Sequence, residues 1–101
     1  MDLTSKQRSY LMSLANTLDP IVQIGKNGVN TEVVNAAEDA FRTHELIKVG
    51  VLKNAPVLPQ EAAELLSTRT HSTNVKVIGR KFILYKPDRE DPQIILPKTR
   101  S

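Results

Sequence analysis

The 101-residue chain contains no cysteine and no tryptophan. Without cysteine it can form no disulfide scaffold, thiolate metal site, iron–sulfur cluster or cysteine nucleophile. No apolar run approaches the ~18 residues of a membrane span. The N-terminus carries Asp2 and Thr4 rather than the basic and then apolar stretches of a secretion signal. We therefore expect a cytoplasmic protein that makes no membrane contact.

What is present indicates a folded protein with a weak preference for anions. Apolar residues make up 40% of the chain and charged residues 25%, a composition typical of one globular domain of ordinary size. The formal net charge is +3, which favours anionic partners only modestly. We assign residues 1–86 to the domain and residues 87–101, which include several prolines and charged residues, to a C-terminal tail.

The first part of the chain predicts a helix followed by a strand. Thr4 and Gln7 form a capping-box pattern, after which apolar residues recur with helical spacing. The helix should end before Asp19, because Pro20 disfavours helical geometry in the residue that precedes it. The short apolar run 21–24 then predicts a buried strand.

A loop with two glycines, Gly25 to Gly28, separates this strand from a second helix, which Asn30 or Thr31 should cap. Apolar and polar residues alternate from Leu46 to Leu52, which predicts a half-buried strand. Strand, loop, helix and strand form a βαβ unit. If its two strands are parallel, the crossover should be right-handed.

A third helix should begin at Pro59, and a hairpin should follow. Its strands, 75–78 and 81–86, are joined by Gly79 and Arg80 in a type II′ turn, so that Val75 opposes Leu84. One hairpin face is then apolar, and the other is mixed and basic. We expect helices to cover one main face of a four-stranded mixed sheet and to leave the other partly open. In the tail, the run 94–96 predicts either an extra strand or an apolar latch.

The residues that could carry catalysis form no recognisable set. His44 lies at the predicted end of the second helix, where imidazole commonly caps, and His71 falls in a loop. The two are too far apart for a local helical metal pair, and no serine lies in a nucleophile elbow. The glycine loop lacks the spacing and the Lys-Ser/Thr pair of a P-loop. We therefore expect no enzymatic activity, cofactor, metal or small-molecule substrate.

The glycine loop is the informative feature. Glycine has no Cβ atom, so the main-chain N–H groups around Gly25 and Gly28 can approach a phosphate directly. Lys26 adds a mobile charge, and the second helix presents unpaired N–H groups and the positive end of its dipole. This combination predicts a site for a sugar–phosphate backbone, to which Gly25, Lys26, Asn27 and Gly28 belong.

Further cations could extend such a site. They lie on the first helix, on the open sheet face, or at strand ends and turns: Lys6, Arg8, Lys48, Lys53, Lys76, Arg80, Lys81 and Lys86. Periodicity assigns Phe41 and Phe82 to the core, which leaves only Tyr10 and Tyr85 to stack on bases. This argues against RNA recognition on an aromatic sheet and favours recognition of backbone and shape.

Several segments together resemble the stand-alone bacterial YhbY proteins, which are single CRM (chloroplast RNA splicing and ribosome maturation) domains. The resemblance is carried by four stretches in order: residues 3–8, 25–28, 45–49, and 75–79 with 84–87. It implies an α-β-α-β-α-β-β fold similar to the C-terminal domain of translation initiation factor three, with a loop used as in KH domains. It also implies binding to precursor large ribosomal subunits through rRNA, with the Gly25–Gly28 loop at the RNA surface.

Three residues depart from the family pattern. Asn30 replaces a usual Thr or Ser and should still cap the helix. His71 stands where a glycine commonly ends the third helix; if this position is left-handed, the substitution costs ~1 kcal/mol. Lys86 replaces a frequent Arg, which keeps the charge but loses bidentate hydrogen bonding.

The sequence thus predicts a monomeric RNA-binding protein that acts on large-subunit rRNA in the cytoplasm during ribosome assembly. One alternative is a protein-interaction module that docks through Ile78, Ile83 and Tyr85 on the mixed face. Another is a small hydrolase, which would require His44 or His71 beside an acid in a pocket.

Overall fold

The computed structural model describes residues 2–98; Met1 and residues 99–101, the end of the predicted tail, lie outside the described residues. The element order is α-β-α-β-α-β-β, as expected: α1 (Ser5–Ala15), β1 (Val22–Ile24), α2 (Thr31–Phe41), β2 (Leu46–Val51), α3 (Pro59–Thr70), β3 (Thr73–Ile78) and β4 (Lys81–Tyr85). None of the helices within residues 2–98 combines the length and apolar character that a membrane crossing requires.

Local side-chain chemistry sets the beginnings of the first two helices. Thr4 Oγ1 accepts from the Gln7 amide and Gln7 Oε1 accepts from the Thr4 amide, both at 3.1 Å, so the predicted capping box is present. Asn30 Oδ1 caps α2 by accepting from the Val33 amide at 3.0 Å. Helix α1 ends at Ala15, earlier than predicted, because a turn closed by Leu18 N–H and Ala15 O leads the chain away toward β1.

The four strands form one mixed sheet in the order β1-β2-β4-β3. Strands β1 and β2 are parallel, as the βαβ pattern predicts, and the other neighbouring pairs are antiparallel. Helices α2 and α3 pack on one main face, where Ile47, Val49, Phe82 and Leu84 are buried. This layer is the larger of the two apolar cores and confirms the predicted fold class.

The other face is less open than predicted, because α1 packs on it. Leu11 and Ala15 of α1 are buried against Leu46, Ile83 and Tyr85. Tyr85 is only 2% exposed, so the prediction that it is free to stack on bases is wrong. Burial and the nearby Glu45 carboxylate raise the pKa of its hydroxyl. Periodicity could not reveal this contact, since α1 and the hairpin are distant in sequence.

A β-bulge in β3 changes the predicted hairpin register. Pairing is as expected from Ile78 to Lys76, but Leu84 then pairs with Asn74 rather than Val75. The extra residue turns Val75 toward α1, whereas Val77 packs on the α2 and α3 side. The hairpin turn agrees with type II′, with φ +57° at Gly79 and no positive φ at Arg80.

The tail folds back over the α1 side without forming a strand. Ile94 and Leu96 pack against the cluster around Leu11 and Tyr85, which agrees with the latch alternative, while Ile95 is 81% exposed. The buried Glu45 carboxylate anchors this segment by accepting from three backbone amides. These amides belong to Asp88 at 2.6 Å, Gln93 at 2.8 Å and Ile94 at 2.6 Å.

Candidate nucleic-acid interface

The two glycines of the loop have different roles. Gly28 has φ +66°, is buried and donates its amide to Gly25 O at 3.0 Å, which closes a turn. A Cβ atom at Gly28 would also lie 3.4 Å from Pro56 Cγ. Gly25 has no positive φ, and a Cβ atom there would make only an ordinary contact of 3.6 Å with Leu52 Cδ1. Gly28 is therefore required by the turn itself, whereas neither the backbone conformation nor the space around it requires glycine at position 25.

The two residues between the glycines are exposed. Within residues 2–98, the amides of Lys26 and Asn27 donate to no protein acceptor. These two N–H groups, unlike that of Gly28, are available to an external anion. The Lys26 ammonium supplies a charge beside them, as the sequence predicts.

A groove of about 430 Å³ runs from this loop along β1 and the first turns of α2. The positive end of the α2 dipole borders it, which favours an anion there. Glu32 also borders the groove, and its carboxylate opposes an incoming anion. Sequence reasoning missed this residue, although its position two residues after the N-cap Asn30 was readable from the chain.

Arg80 lies at the same end of the sheet as the loop. Its Nη1 donates to Leu52 O at 3.4 Å, and Leu52 borders Gly25. The hairpin turn and the glycine loop therefore form one continuous surface, although 51 positions in the chain separate Gly28 from Gly79. The sequence placed Arg80 in a turn but could not place that turn beside the loop.

Other predicted cations lie on the α1 side of the sheet. Lys48 and Lys81 border a groove against the end of α1, and Lys76 borders a second groove with Ser5 and Arg8 at its beginning. Lys6 is exposed on α1. These positions leave cations on the α1 face as well as at the loop.

Two predicted cations have side chains that are engaged within the fold. Arg8 donates from Nη1 to Asn74 O at 3.0 Å and to Val75 O, so its guanidinium binds the carbonyls at the bulge. Lys86 lies at the opposite end of the sheet from the loop, with its Nζ 5.8 Å from the centroid of the Phe41 ring. Both cations thus have contacts within the fold.

Charge is divided between the two sides of the sheet. Helix α1 and strands β2, β3 and β4 contain no acidic residue, whereas α2 and α3 carry five: Glu32, Glu38, Asp39, Glu61 and Glu64. Among the helices and strands, those of the α1 side thus carry only positive charge, while the tail that folds over this side adds Asp88, Glu90 and Asp91 at the Glu45 end. The uneven distribution of acidic residues along the chain was visible in the sequence. It becomes a difference between two faces only because α1 packs on the face opposite α2 and α3.

The two histidines have structural positions. His44 Nδ1 lies 2.9 Å from Thr43 Oγ1 and 3.3 Å from Ala40 O, in the predicted capping role after α2. His71 ends α3 in the left-handed region, with φ 56° and ψ 40°, which is the conformation that favours glycine. A cleft of about 850 Å³ brings His71 near Glu38 and Asp88, yet within residues 2–98 no hydrogen bond joins its ring to either carboxylate.

The two serine hydroxyls that border this cleft are engaged within the fold. Ser67 Oγ donates to Glu64 O at 3.1 Å, and Ser72 Oγ lies 2.8 Å from Thr70 Oγ1. The residues that the structure describes contain no group of three His, Asp or Glu side chains arranged to hold a metal ion. The alternative of protein docking through Ile78, Ile83 and Tyr85 is also weakened, since only Ile78 of the three is exposed.

These features define a small α+β protein whose glycine loop leaves two backbone amides exposed and without an acceptor in the described residues. The family model of the CRS1/YhbY (CRM) domain matches residues 3–86. The chain belongs to this family, as the sequence resemblance predicts.

Similar proteins agree with this assignment. The chain is 42% identical over 95 residues to Probable RNA-binding protein YqeI of Bacillus subtilis, covering 94% of this chain and 99% of that protein. It is 35% identical over 96 residues to a protein of Haemophilus influenzae named RNA-binding protein, covering 95% and 96%. The solution structure of a Staphylococcus aureus hypothetical protein, presented as a candidate RNA-binding protein, matches with TM-score 0.80 and 45% identity over 95% of this chain and all of that one. These names describe RNA binding rather than an enzymatic activity.

Proposed function

We propose that this protein binds RNA by holding phosphates at the Gly25–Gly28 loop, and that its target is large-subunit rRNA in ribosome precursors. The observation that carries the proposal is the pair of amides of Lys26 and Asn27, two exposed residues that line the groove at the positive end of α2; these amides have no acceptor within residues 2–98. The names of the similar proteins support RNA as the partner.

Each group at the site has a defined task. The Lys26 and Asn27 amides donate to phosphate oxygens, and the Lys26 ammonium and the Arg80 guanidinium contribute charge. Lys6, Lys48, Lys76 and Lys81 extend the positive potential over the α1 side. Arg8 and Lys86 contribute only at longer range, because their side chains contact the fold. The protein does this as a monomer in the cytoplasm and catalyses no reaction.

The backbone contact is tested by two variants of one residue. Lys26→Ala removes the charge alone, whereas Lys26→Pro removes the charge and the amide proton. Proline suits the second position of a four-residue turn, so the Gly25–Gly28 turn should persist. We expect Lys26→Pro to weaken RNA binding more than Lys26→Ala does, measured by fluorescence anisotropy with a fragment of large-subunit rRNA. Equal affinities would exclude the amide contact.

Salt dependence separates charge from general loss of structure. Each phosphate contact that is lost should reduce the slope of log affinity against log salt by ~0.7 to 0.9. Lys26→Ala should show this reduction, while Lys98→Ala, an exposed tail position, should keep the parental slope. An RNA affinity that does not change with salt would contradict phosphate binding.

The rRNA target is tested in cells. Crosslinking followed by sequencing of the attached RNA should enrich large-subunit rRNA and its precursors over messenger and transfer RNA. The Lys26→Pro variant, expressed at the same level, should lose this enrichment. A profile dominated by messenger RNA would preserve the chemistry of the site and overturn the assigned target.

A further inference from the structure

The groove that Lys48 and Lys81 border lies on the α1 side, between the C-terminal end of α1 and the sheet. Its volume is about 210 Å³, and Met12, Ala15, Ile78 and Ile83 supply apolar surface. Three polar side chains, Asn16, Lys48 and Lys81, also border it. Drug-sized ligands occupy sites of ~300 to 1,000 Å³, so this groove fits a single small ring system.

The polar groups around the groove have no partner of their own. Within residues 2–98, neither the Asn16 amide nor the Lys48 and Lys81 ammonium groups make a side-chain hydrogen bond or an ion pair. Because α1, β2, β3 and β4 carry no acidic residue, no carboxylate of these elements neutralises the two lysines. The groove therefore combines an apolar surface, one free amide and two unpaired positive charges.

This combination complements a nucleotide within a single strand. An unstacked base offers a flat apolar face and a hydrogen-bonding edge, and the phosphates beside it are anionic. A protein-docking surface of this kind would instead need acidic residues on the partner to match the lysines and a larger apolar area than one exposed isoleucine, Ile78, provides. Charge and size together favour the nucleotide.

We propose that this groove binds one unstacked base of the RNA strand whose phosphates the loop holds. The base lies against Met12 and Ile78, the Asn16 amide bonds to its edge, and Lys48 and Lys81 contact the adjacent phosphates. The polarizable thioether of Met12 makes favourable contacts with aromatic rings, which compensates for the absence of an aromatic side chain among the residues that line the groove. The inference rests on the proposed RNA binding but concerns a separate site.

The two sites lie close enough for one strand to reach both. Gln23 pairs with Gly50, which pairs in turn with Lys81. Adjacent strands are ~4.8 Å apart, so about 10 Å separates Lys81 from the strand that enters the loop. Arg80, next to Lys81, contacts Leu52 beside Gly25, so the surface between the sites is continuous.

The first test uses small probes and does not depend on RNA binding by the loop. The chain has two methionines, Met1 and Met12, so methyl labelling gives two signals, and Met12→Leu assigns them. Adenosine 5′-monophosphate should shift the Met12 methyl signal through the ring current of the base and should also shift the Asn16 side-chain amide. Ribose 5-phosphate, which lacks the base, should leave the Met12 methyl unchanged. If neither probe moves Met12, the base site is refuted, whatever the loop binds.

The second test uses RNA with a matched control variant. Replacing one nucleotide of a short single-stranded RNA by an abasic unit, scanned along the strand, should weaken binding about two- to tenfold at one position. Asn16→Ala should reduce this loss, whereas Asn35→Ala, exposed on the acidic side in α2, should preserve it. An RNA affinity that depends on salt and on Lys26 but is unaffected by every abasic substitution would overturn the base site and retain the loop function. An RNA affinity that falls at one abasic position but does not change with salt or in Lys26→Ala would retain the base site and overturn the loop function.

Discussion

Within residues 2–98, backbone amides at one end of the sheet have a side-chain acceptor, and backbone amides at the other end have none. At the end where β2 begins, the buried Glu45 carboxylate accepts from the amides of Asp88, Gln93 and Ile94. At the other end, the amides of Lys26 and Asn27 have no acceptor within residues 2–98 and remain at the surface. A carboxylate within the fold thus holds main-chain N–H groups at one end, whereas two N–H groups at the other end stay open to solvent.

The difference separates amides that are held by a carboxylate of the fold from amides that are accessible to a ligand. The three amides that donate to Glu45 are partly withdrawn from water, so loss of the carboxylate would leave them without their partner. Amides at the surface can exchange water for phosphate at little cost. Changes at the Glu45 end should therefore appear as changes in stability, and changes at the loop end mainly as changes in RNA affinity.

Removing the internal carboxylate should have the largest effect. Glu45→Ala leaves three amides without their acceptor and should lower the free energy of unfolding by ~2 to 4 kcal/mol. Urea denaturation measures the loss, and the amides of Asp88, Gln93 and Ile94 should exchange faster with deuterium. Glu90→Ala, at an exposed position in the same tail, is the control and should leave both measurements unchanged. Unaltered exchange in Glu45→Ala would show that the carboxylate does not hold the tail.

Adding a methyl group at each of the two loop glycines should show that the fold requires glycine at position 28 but not at position 25. Gly28→Ala places an L-residue at φ +66° against Pro56 and should cost ~1 to 2 kcal/mol of stability. Gly25→Ala, which meets only an ordinary contact with Leu52, should cost less than ~0.5 kcal/mol. Thermal denaturation of both variants tests the difference. Equal destabilisation by the two would contradict the distinct roles of the glycines.

Neutralising the acidic residue at the loop end should increase RNA affinity. Glu32 borders the phosphate groove, so Glu32→Gln removes repulsion of ~0.3 to 1 kcal/mol, an increase of about two- to fivefold in affinity at low salt. Glu64→Gln, on α3, is the matched control and should leave the affinity unchanged. A decrease in affinity in Glu32→Gln would mean that the RNA does not enter this groove.

Protonation of Asp88 in acid should loosen the short turn that follows it in the tail, and this is the smallest of the four expected effects. Hydrogen bonds from the Asp91 and Glu90 amides lower the pKa of the Asp88 carboxyl below its ordinary value of 3.8. The stability that they contribute is thus present above pH 3.8 and is lost as pH falls through the lower folded-state pKa. NMR shifts of the Glu90 and Asp91 amides should follow this titration. Asp88→Asn should abolish it, and persistence of the titration would assign it to another group.

Much of the fold was predictable because its signals are local. The Thr4 capping box, the Asn30 cap, the glycine loop and the Gly79 turn each depend on residues within a few positions of one another. The strand order, by contrast, requires β4 to pair with both β2 and β3. The bulge at Val75 was not predicted, because the alternation of apolar and polar residues gives no reason to insert an extra residue. Arg8 binds the carbonyls at the bulge, but it lies 66 positions from Asn74, so the sequence did not reveal this contact.

The candidate site shows the same division. The loop, Lys26 and the helix behind it were found from a contiguous stretch of sequence. The proximity of Arg80 and the groove beside Asn16 were not, since each depends on elements that are distant in the chain. Glu32 was overlooked although it lies only four residues after Gly28. Tyr85 and Ile83 were assigned to an open face, and both proved to be buried beneath α1.

The sequence by itself determined the order of the elements, the conformation of the turns and the presence of a bare, charged loop before a helix, because hydrogen bonds between near neighbours and side-chain periodicity are encoded locally. Only the tertiary structure decided which amides are occupied by Glu45, which are left to an external anion, and which cations share a surface. Those outcomes depend on how α1, the hairpin and the tail pack over one sheet, and packing energies sum contacts between residues that the chain keeps far apart.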